Sequence, residues 1–205
     1  MTIKKFIETV LAGIKTADNL YRKWADQYFI DNGCEHFMVS MIALEIMKSL
    51  KKDKQKQYVF LEFGKKYIDT YHGEISYQKD IFTKRSKFDL AILNGRGQIK
   101  FILEAKCLYT GCPGFDDLIA RDIKRLDFAY DNFSSSTSVF AMYLSTTKDT
   151  MKGCETCLNQ KVTAIRERVR RNGYLLWKGE YFKEYTEANR KTSLSTCFCL
   201  VKKRN

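Results

Sequence analysis

Asp89, Glu104 and Lys106 are the residues whose types and spacing could do chemistry in this chain. Glu104 and Lys106 stand two apart in a run, Ile99 to Lys106, that reads as a β-strand, so both side chains leave the same face of a sheet. Asp89 lies in the preceding strand-like run, Phe88 to Leu93. Between the two runs, Asn94-Gly95-Arg96-Gly97 is a strong hairpin signal, because it supplies residues tolerant of positive φ. A loop of Gly95 to Gln98 sets Asp89 directly opposite Glu104; a tighter Gly95-Arg96 turn makes them diagonal neighbours. Either register brings two carboxylates close together beside an ammonium. Like charges that close need a neutralising cation, and a hard divalent ion is the natural one. Mg²⁺ binds through one or two carboxylates, keeps several waters and takes a phosphate oxygen. A lysine beside it can orient or help deprotonate an attacking water and stabilise a phosphorane-like transition state. Asp, then Glu-x-Lys on a paired strand, is thus a chemically complete set for phosphodiester hydrolysis.

These residues resemble the motifs of the PD-(D/E)XK nuclease superfamily, which has the restriction-endonuclease-like fold. Lys87-Phe88-Asp89-Leu90-Ala91-Ile92 matches the first acidic motif and Leu103-Glu104-Ala105-Lys106 the second, with Phe88 where the family's proline would stand. Cys34-Glu35-His36-Phe37 resembles the glutamate-bearing helix of many members. Arg121-Asp122-Ile123-Lys124-Arg125-Leu126 resembles the helix that follows the Glu-x-Lys strand. The likeness spans roughly Cys34 to Ser145. It implies a Mg²⁺-dependent endonuclease acting on DNA, with Mn²⁺ as a substitute cation. Asp89 and Glu104 would be metal ligands, the Ala105 carbonyl a further ligand, Lys106 the catalytic lysine and Glu35 an additional acid. A homodimer is an arrangement that such enzymes often use. Glu35 also has a plain reading, as a first-turn glutamate favoured by the helix dipole. Two other readings of the whole stay open: a catalytically silent nucleic-acid-binding protein on the same fold, and an RNA nuclease.

The elements that must position these residues follow from periodicity. Ile3, Ile7, Val10, Ile14, Ala17, Tyr21, Trp24 and Tyr28 keep a three-or-four spacing, predicting one long helix or two bending near Gly13, ended by Asp31-Asn32-Gly33. A second helix runs from about Cys34 to Leu50; Glu35 aligns with Val39, Ile42 and Ile46 on its inward stripe. Strands follow at Tyr58 to Phe63, Phe88 to Leu93 and Ile99 to Lys106. Ile119, Ile123, Leu126, Tyr130 and Phe133 mark a helix, Ser138 to Ser145 a strand, and Leu158, Val162, Ile165 and Val169 another helix. Tyr174 to Lys178 and Ser193 to Lys202 are strand-like. The fold class expected is α/β: a mixed sheet flanked by helices, with an α-βββ-α-β core of the restriction-endonuclease-like type. One domain, 1–205, would hold an N-terminal helical extension (1–33), the core (34–146) and a C-terminal α-ββ elaboration (147–205).

Charge points to the partner. Lys and Arg number 36 against 24 Asp and Glu, a formal +12 over 205 residues, and a polyanion is the natural counterpart of such an excess. Arg121, Lys124 and Arg125 lie off the apolar stripe of their helix, and Lys161, Arg166, Arg168, Arg170 and Arg171 crowd the later one. As a set they are the expected phosphate contacts; singly, each also reads as a solvated surface charge. Hydrophobic residues at 44% and aromatics at 14% exclude a disordered chain,. No apolar run is long enough to span a membrane, and Met1 to Gly13 lacks the pattern of a signal peptide. Seven cysteines without such a signal predict a reducing cytoplasm and free thiols,. Cys154-x-x-Cys157 and Cys197-x-Cys199 have zinc-ligand spacing; alternate buried thiols on a strand are the competing reading.

Overall fold

The computed structural model describes residues 1–25, 34–53, 56–72, 86–133, 136–181, 185–186 and 192–203. In chain order these form α1 (Ile3–Ala25), α2 (Glu35–Lys52), β1 (Gln57–Gly64), α3 (Lys65–His72), β2 (Lys87–Asn94), β3 (Ile99–Tyr109), α4 (Phe115–Asn132), β4 (Thr137–Lys148), α5 (Met151–Arg170), β5 (Leu175–Tyr181), β6 (Tyr185–Thr186) and β7 (Thr192–Lys202). The expected helices and strands form within a few residues of their sequence bounds. The expected stop at Asp31-Asn32-Gly33 lies outside the described residues. Two short elements escape the sequence reading. α3 buries Ile68, and β6 is a two-residue pairing that carries no periodicity.

The strands make one mixed sheet in the order β1-β2-β3-β4-β7-β5, with β6 also pairing β7. β3 and β4 are parallel, and every other pairing is antiparallel. Parallel neighbours need a crossover long enough to bring the chain back, and α4 supplies it. The protein is therefore α/β, an open mixed sheet with helices on both faces.

Side-chain alternation explains the two helical layers. On β3, Phe101, Leu103 and Ala105 join one buried cluster with α1 and α2; Ile102 and Leu108 join the other with α4 and α5. The central strands β2, β3, β4 and β7 are buried on both faces because both are covered,. α1 is one uninterrupted helix through Gly13. That glycine serves close approach rather than a bend: a Cβ there would lie 2.5 Å from the Ile42 Cα of α2. Phe6 stacks on Phe101 with ring centroids 4.2 Å apart, and the Tyr143 hydroxyl bonds to Asp18 of α1 at 2.9 Å and Ser195 of β7 at 2.7 Å. The first helix and the last strand are thus part of the packed body. β7 lies between β4 and β5 with nearly every residue buried. Each large core side chain contributes roughly 1.5–3 kcal/mol of burial. Among the described residues no helix is long and apolar enough to cross a membrane.

The β2–β3 hairpin carries the candidate site. Asn94 organises its turn: its Oδ1 accepts from Arg96 N at 2.9 Å and Gln98 N at 3.0 Å, and Gly97 takes φ 77°. A register shift between Ile92 and Leu93 leads to the pairs Ala91–Ile102 and Leu90–Leu103. Continued by one residue, that register sets Asp89 against Glu104, the directly opposed arrangement. The paired ladder stops at Leu90–Leu103, while β3 runs on beside β4 to Tyr109. The sheet therefore forks at the point where the charged residues begin.

Candidate active site

At the fork, Asp89 replaces a missing ladder bond: its Oδ2 accepts the Ala105 backbone N–H at 2.7 Å. This fixes the carboxylate over the start of the Glu-x-Lys segment and answers the need of a buried amide for an acceptor. Glu104 lies behind it with 0% exposure. Burial foremost, and then the Asp89 charge, push the Glu104 carboxyl well above the ordinary carboxylate range, although Arg125 pulls the other way. Burial and a like charge outweigh one guanidinium here, because desolvation of a carboxylate at full depth is severe.

Arg125 holds Glu104 firmly. Its Nε donates to Glu104 Oε1 at 2.9 Å and its Nη2 contacts the same oxygen, while Nη2 also donates to the Lys87 carbonyl at 3.0 Å. Glu104 Oε2 is buried and accepts no hydrogen bond among the described residues. Lys106, with 13% side-chain exposure, donates to Glu35 Oε1 at 2.8 Å and lies 3.3 Å from Asp122 Oδ2. Asp122 is 1% exposed, and its Oδ1 is 3.7 Å from Arg125 Nη1. The charges alternate along one string, Glu35, Lys106, Asp122, Arg125, Glu104, drawn from α2, β3 and α4.

Burial lowers the affinity of Lys106 for its proton, but the charges of Asp122, Glu35 and Asp89 prevail and raise its pKa. The group is a permanent ammonium at neutral pH, suited to meeting negative charge rather than abstracting protons. Glu35 is shifted upward by burial, against the pull of Lys106. On the β1 side, Asp89 borders an open cleft of about 360 Å³ whose walls include His36, Ser40, Glu62 and Lys87. Glu62 takes φ 50° and pairs with Lys87 at 2.6 Å at the cleft's rim.

No family model, curated protein or solved structure matches the chain.

The sequence-expected residues Asp89, Glu104, Ala105, Lys106 and Glu35 are thus brought together. Asp122 joins this group as well, and it also pairs with the neighbouring arginines, its Oδ1 lying 4.0 Å from Arg121 Nε and 3.7 Å from Arg125 Nη1. Its place three residues after Ile119 and four before Leu126 puts it on the buried stripe, and that spacing was the available signal. Arg125 needs correction. It was expected on the exposed phosphate-binding face, but its side chain is only 19% exposed and turned onto Glu104. The position borders the stripe, and a long side chain can carry its charge inward where a buried carboxylate awaits it.

The other basic residues lie outside the group. Arg121 and Lys124 are exposed on α4. Arg166, Arg168, Arg170 and Arg171 are exposed on α5 and the residue after it; Arg168 pairs with Asp116 at 2.9 Å and Arg170 with Glu167 at 3.7 Å. Lys161 is half-buried, with its ammonium 4.9 Å from the Phe115 ring centroid.

The four-thiolate zinc arrangement does not form. Cys154 of α5 is buried on the α4/α5 face, whereas Cys197 and Cys199 point to the α1/α2 face, so the sheet stands between them. Cys154 Sγ donates to the Thr192 carbonyl at 3.0 Å, and Cys157 Sγ accepts from Thr146 Oγ1 at 3.6 Å. These are packed thiols, the competing reading.

Among the described residues no group of three or more His, Cys, Asp and Glu side chains is arranged to hold a metal. A cation at the fork would rely on Asp89, Glu104, the Ala105 carbonyl and water, a donor set that suits Mg²⁺. The unsatisfied buried Oε2 of Glu104, close to a second carboxylate, fits such an ion.

Proposed function

We propose that the chain is a Mg²⁺-dependent nuclease with a restriction-endonuclease-like core, hydrolysing phosphodiester bonds of DNA with water as the nucleophile. The observation that carries this reading is the fork itself: Asp89 is pinned on Ala105 beside Glu104, and Lys106 is held two residues on by two carboxylates. The order α2, β1, β2, β3, α4, β4, with the short α3 between β1 and β2 and with β4 parallel to β3, supports the core that the sequence resemblance implies.

Mg²⁺ bound by Asp89 and Glu104 would supply Lewis-acid charge to a phosphoryl oxygen and make water a better nucleophile. The chain's own groups do the rest. Lys106 presents a fixed ammonium toward the charge that grows on the phosphate in the transition state, and Asp122 and Glu35 keep it in place. Glu35, with a carboxyl tuned upward, can receive the proton that the attacking water releases. Arg121, Lys124 and the exposed arginines of α5 would meet the phosphate backbone at a distance from the chemistry. A homodimer would let two such sites address two strands.

One observation favours a second reading, a silent nucleic-acid-binding protein: Arg125 already sits on Glu104 Oε1, in the place of a replacement for a lost cation. A cleavage assay separates the two. Plasmid, single-stranded DNA and RNA are incubated with Mg²⁺ or Mn²⁺, using wild type, Asp89→Ala and Lys106→Ala. Metal-dependent cutting by wild type that both variants lose supports the nuclease. Binding without cutting of any substrate supports the silent protein, and cutting confined to RNA makes it a ribonuclease.

A further inference from the structure

We propose that Arg125 determines metal selectivity: by occupying one oxygen of Glu104 it restricts the site to a small octahedral cation such as Mg²⁺ and disfavours Ca²⁺. This rests on Asp89 and Glu104 being the metal ligands, as proposed above.

A carboxylate can offer a cation one oxygen or two. Ca²⁺ gathers six to eight oxygens at longer distances and readily takes both from one carboxylate, whereas Mg²⁺ takes one from each and completes an octahedron with water. At the fork, both carboxylates have one oxygen engaged. Asp89 Oδ2 accepts the Ala105 N–H at 2.7 Å. Glu104 Oε1 accepts from Arg125 Nε at 2.9 Å and is also contacted by Nη2. What remains is Asp89 Oδ1 and the buried, unsatisfied Glu104 Oε2, one oxygen from each.

Arg125 cannot yield its place cheaply. Nη2 donates to the Lys87 carbonyl at 3.0 Å and Nη1 is 3.7 Å from Asp122 Oδ1, so β2, β3 and α4 all hold one guanidinium. Asp122 is thereby a positioning residue for the arginine as well as for Lys106. The Ala105 N–H is backbone and survives any substitution, which makes Arg125 the side chain that can be varied.

The test is direct binding. MgCl₂ and CaCl₂ are titrated calorimetrically into the full chain, stripped with EDTA, for wild type, Arg125→Met and Arg125→Lys, with circular dichroism to verify folding. Arg125→Met frees Glu104 Oε1 outright; Arg125→Lys keeps the charge but loses the planar fork, and serves if the first variant does not fold. In the variants the affinity ratio of Ca²⁺ to Mg²⁺ should rise by about ten-fold or more, with the lysine variant between wild type and methionine. If both cations bind and the ratio in a folded variant stays within about two-fold of wild type, the selectivity role is overturned while the metal site stands. If neither cation binds wild type, the metal site and the selectivity role fall together.

Discussion

Replacing Glu104 with Gln in the metal-free protein should flatten the pH dependence of its stability. The folded carboxyl is held well above its ordinary value of 4.5 by burial and by Asp89, while in the unfolded chain it titrates normally. Below the unfolded pKa both states carry the proton, and the contribution of this group to stability is fully present. As pH rises, the unfolded chain ionises first, folding requires proton uptake, and stability falls until pH passes the folded pKa. One proton corresponds to a loss of about 1.4 kcal/mol per pH unit within that window. Glu35 is shifted the same way, with burial the leading cause, so the wild-type slope can approach twice that where the two windows overlap. Urea unfolding in EDTA at constant ionic strength, from about pH 5 to about pH 7, reads the slope directly. Glu104→Gln should remove up to one proton's worth and Glu35→Gln its own share. Parallel slopes for wild type and Glu104→Gln would refute the reasoning, because a carboxyl that titrates normally when folded has no such effect. If Asp89 and Glu104 hold Mg²⁺ as proposed, adding it should oppose the loss, since its ligands must be ionised.

The other predictions are quicker to state. Lys106→Met should lower metal-dependent cleavage by about 10²–10³-fold with Mg²⁺ affinity little changed, as calorimetry and single-turnover assays can separate. Gly13→Val should destabilise the fold by about 1–3 kcal/mol in urea unfolding, because its Cβ would meet the α2 backbone at Ile42,. Arg166→Glu with Arg171→Glu should weaken DNA binding uniformly across sequences and lower the slope of log K against log salt by about two, measured by fluorescence anisotropy. An unchanged slope would take α5 off the binding face.

Much of the site could be read from sequence because its geometry is local. Asn94 to Gly97 fixes the turn, strand alternation fixes the faces, and together they bring Asp89 and Glu104 into opposition. The shift at Ile92/Leu93 was invisible, yet it delivers the register of the longer-loop alternative. Glu35 was reachable because it opens a clear helical stripe. What depended on distant pairing was harder. Nothing local in Thr192–Lys202 places β7 between β4 and β5, and the run Lys65–His72 is too short for its one buried isoleucine to announce a helix. Arg125 is harder for a different reason: a charge on a basic helix reads as solvated until a buried partner is known. Arg125 finds Glu104 across 21 residues, a contact that only the folded chain supplies.

The string of alternating charges crosses from one helical layer to the other. α2 packs on one face of the sheet and α4 on the opposite face, and Lys106 at the fork holds Glu35 of the first and Asp122 of the second. The string is thus a brace between the two layers. Whatever enters the fork pulls on both layers at once, so occupancy should slow hydrogen exchange in the first turns of α2 and in the middle of α4 together, although a sheet separates them.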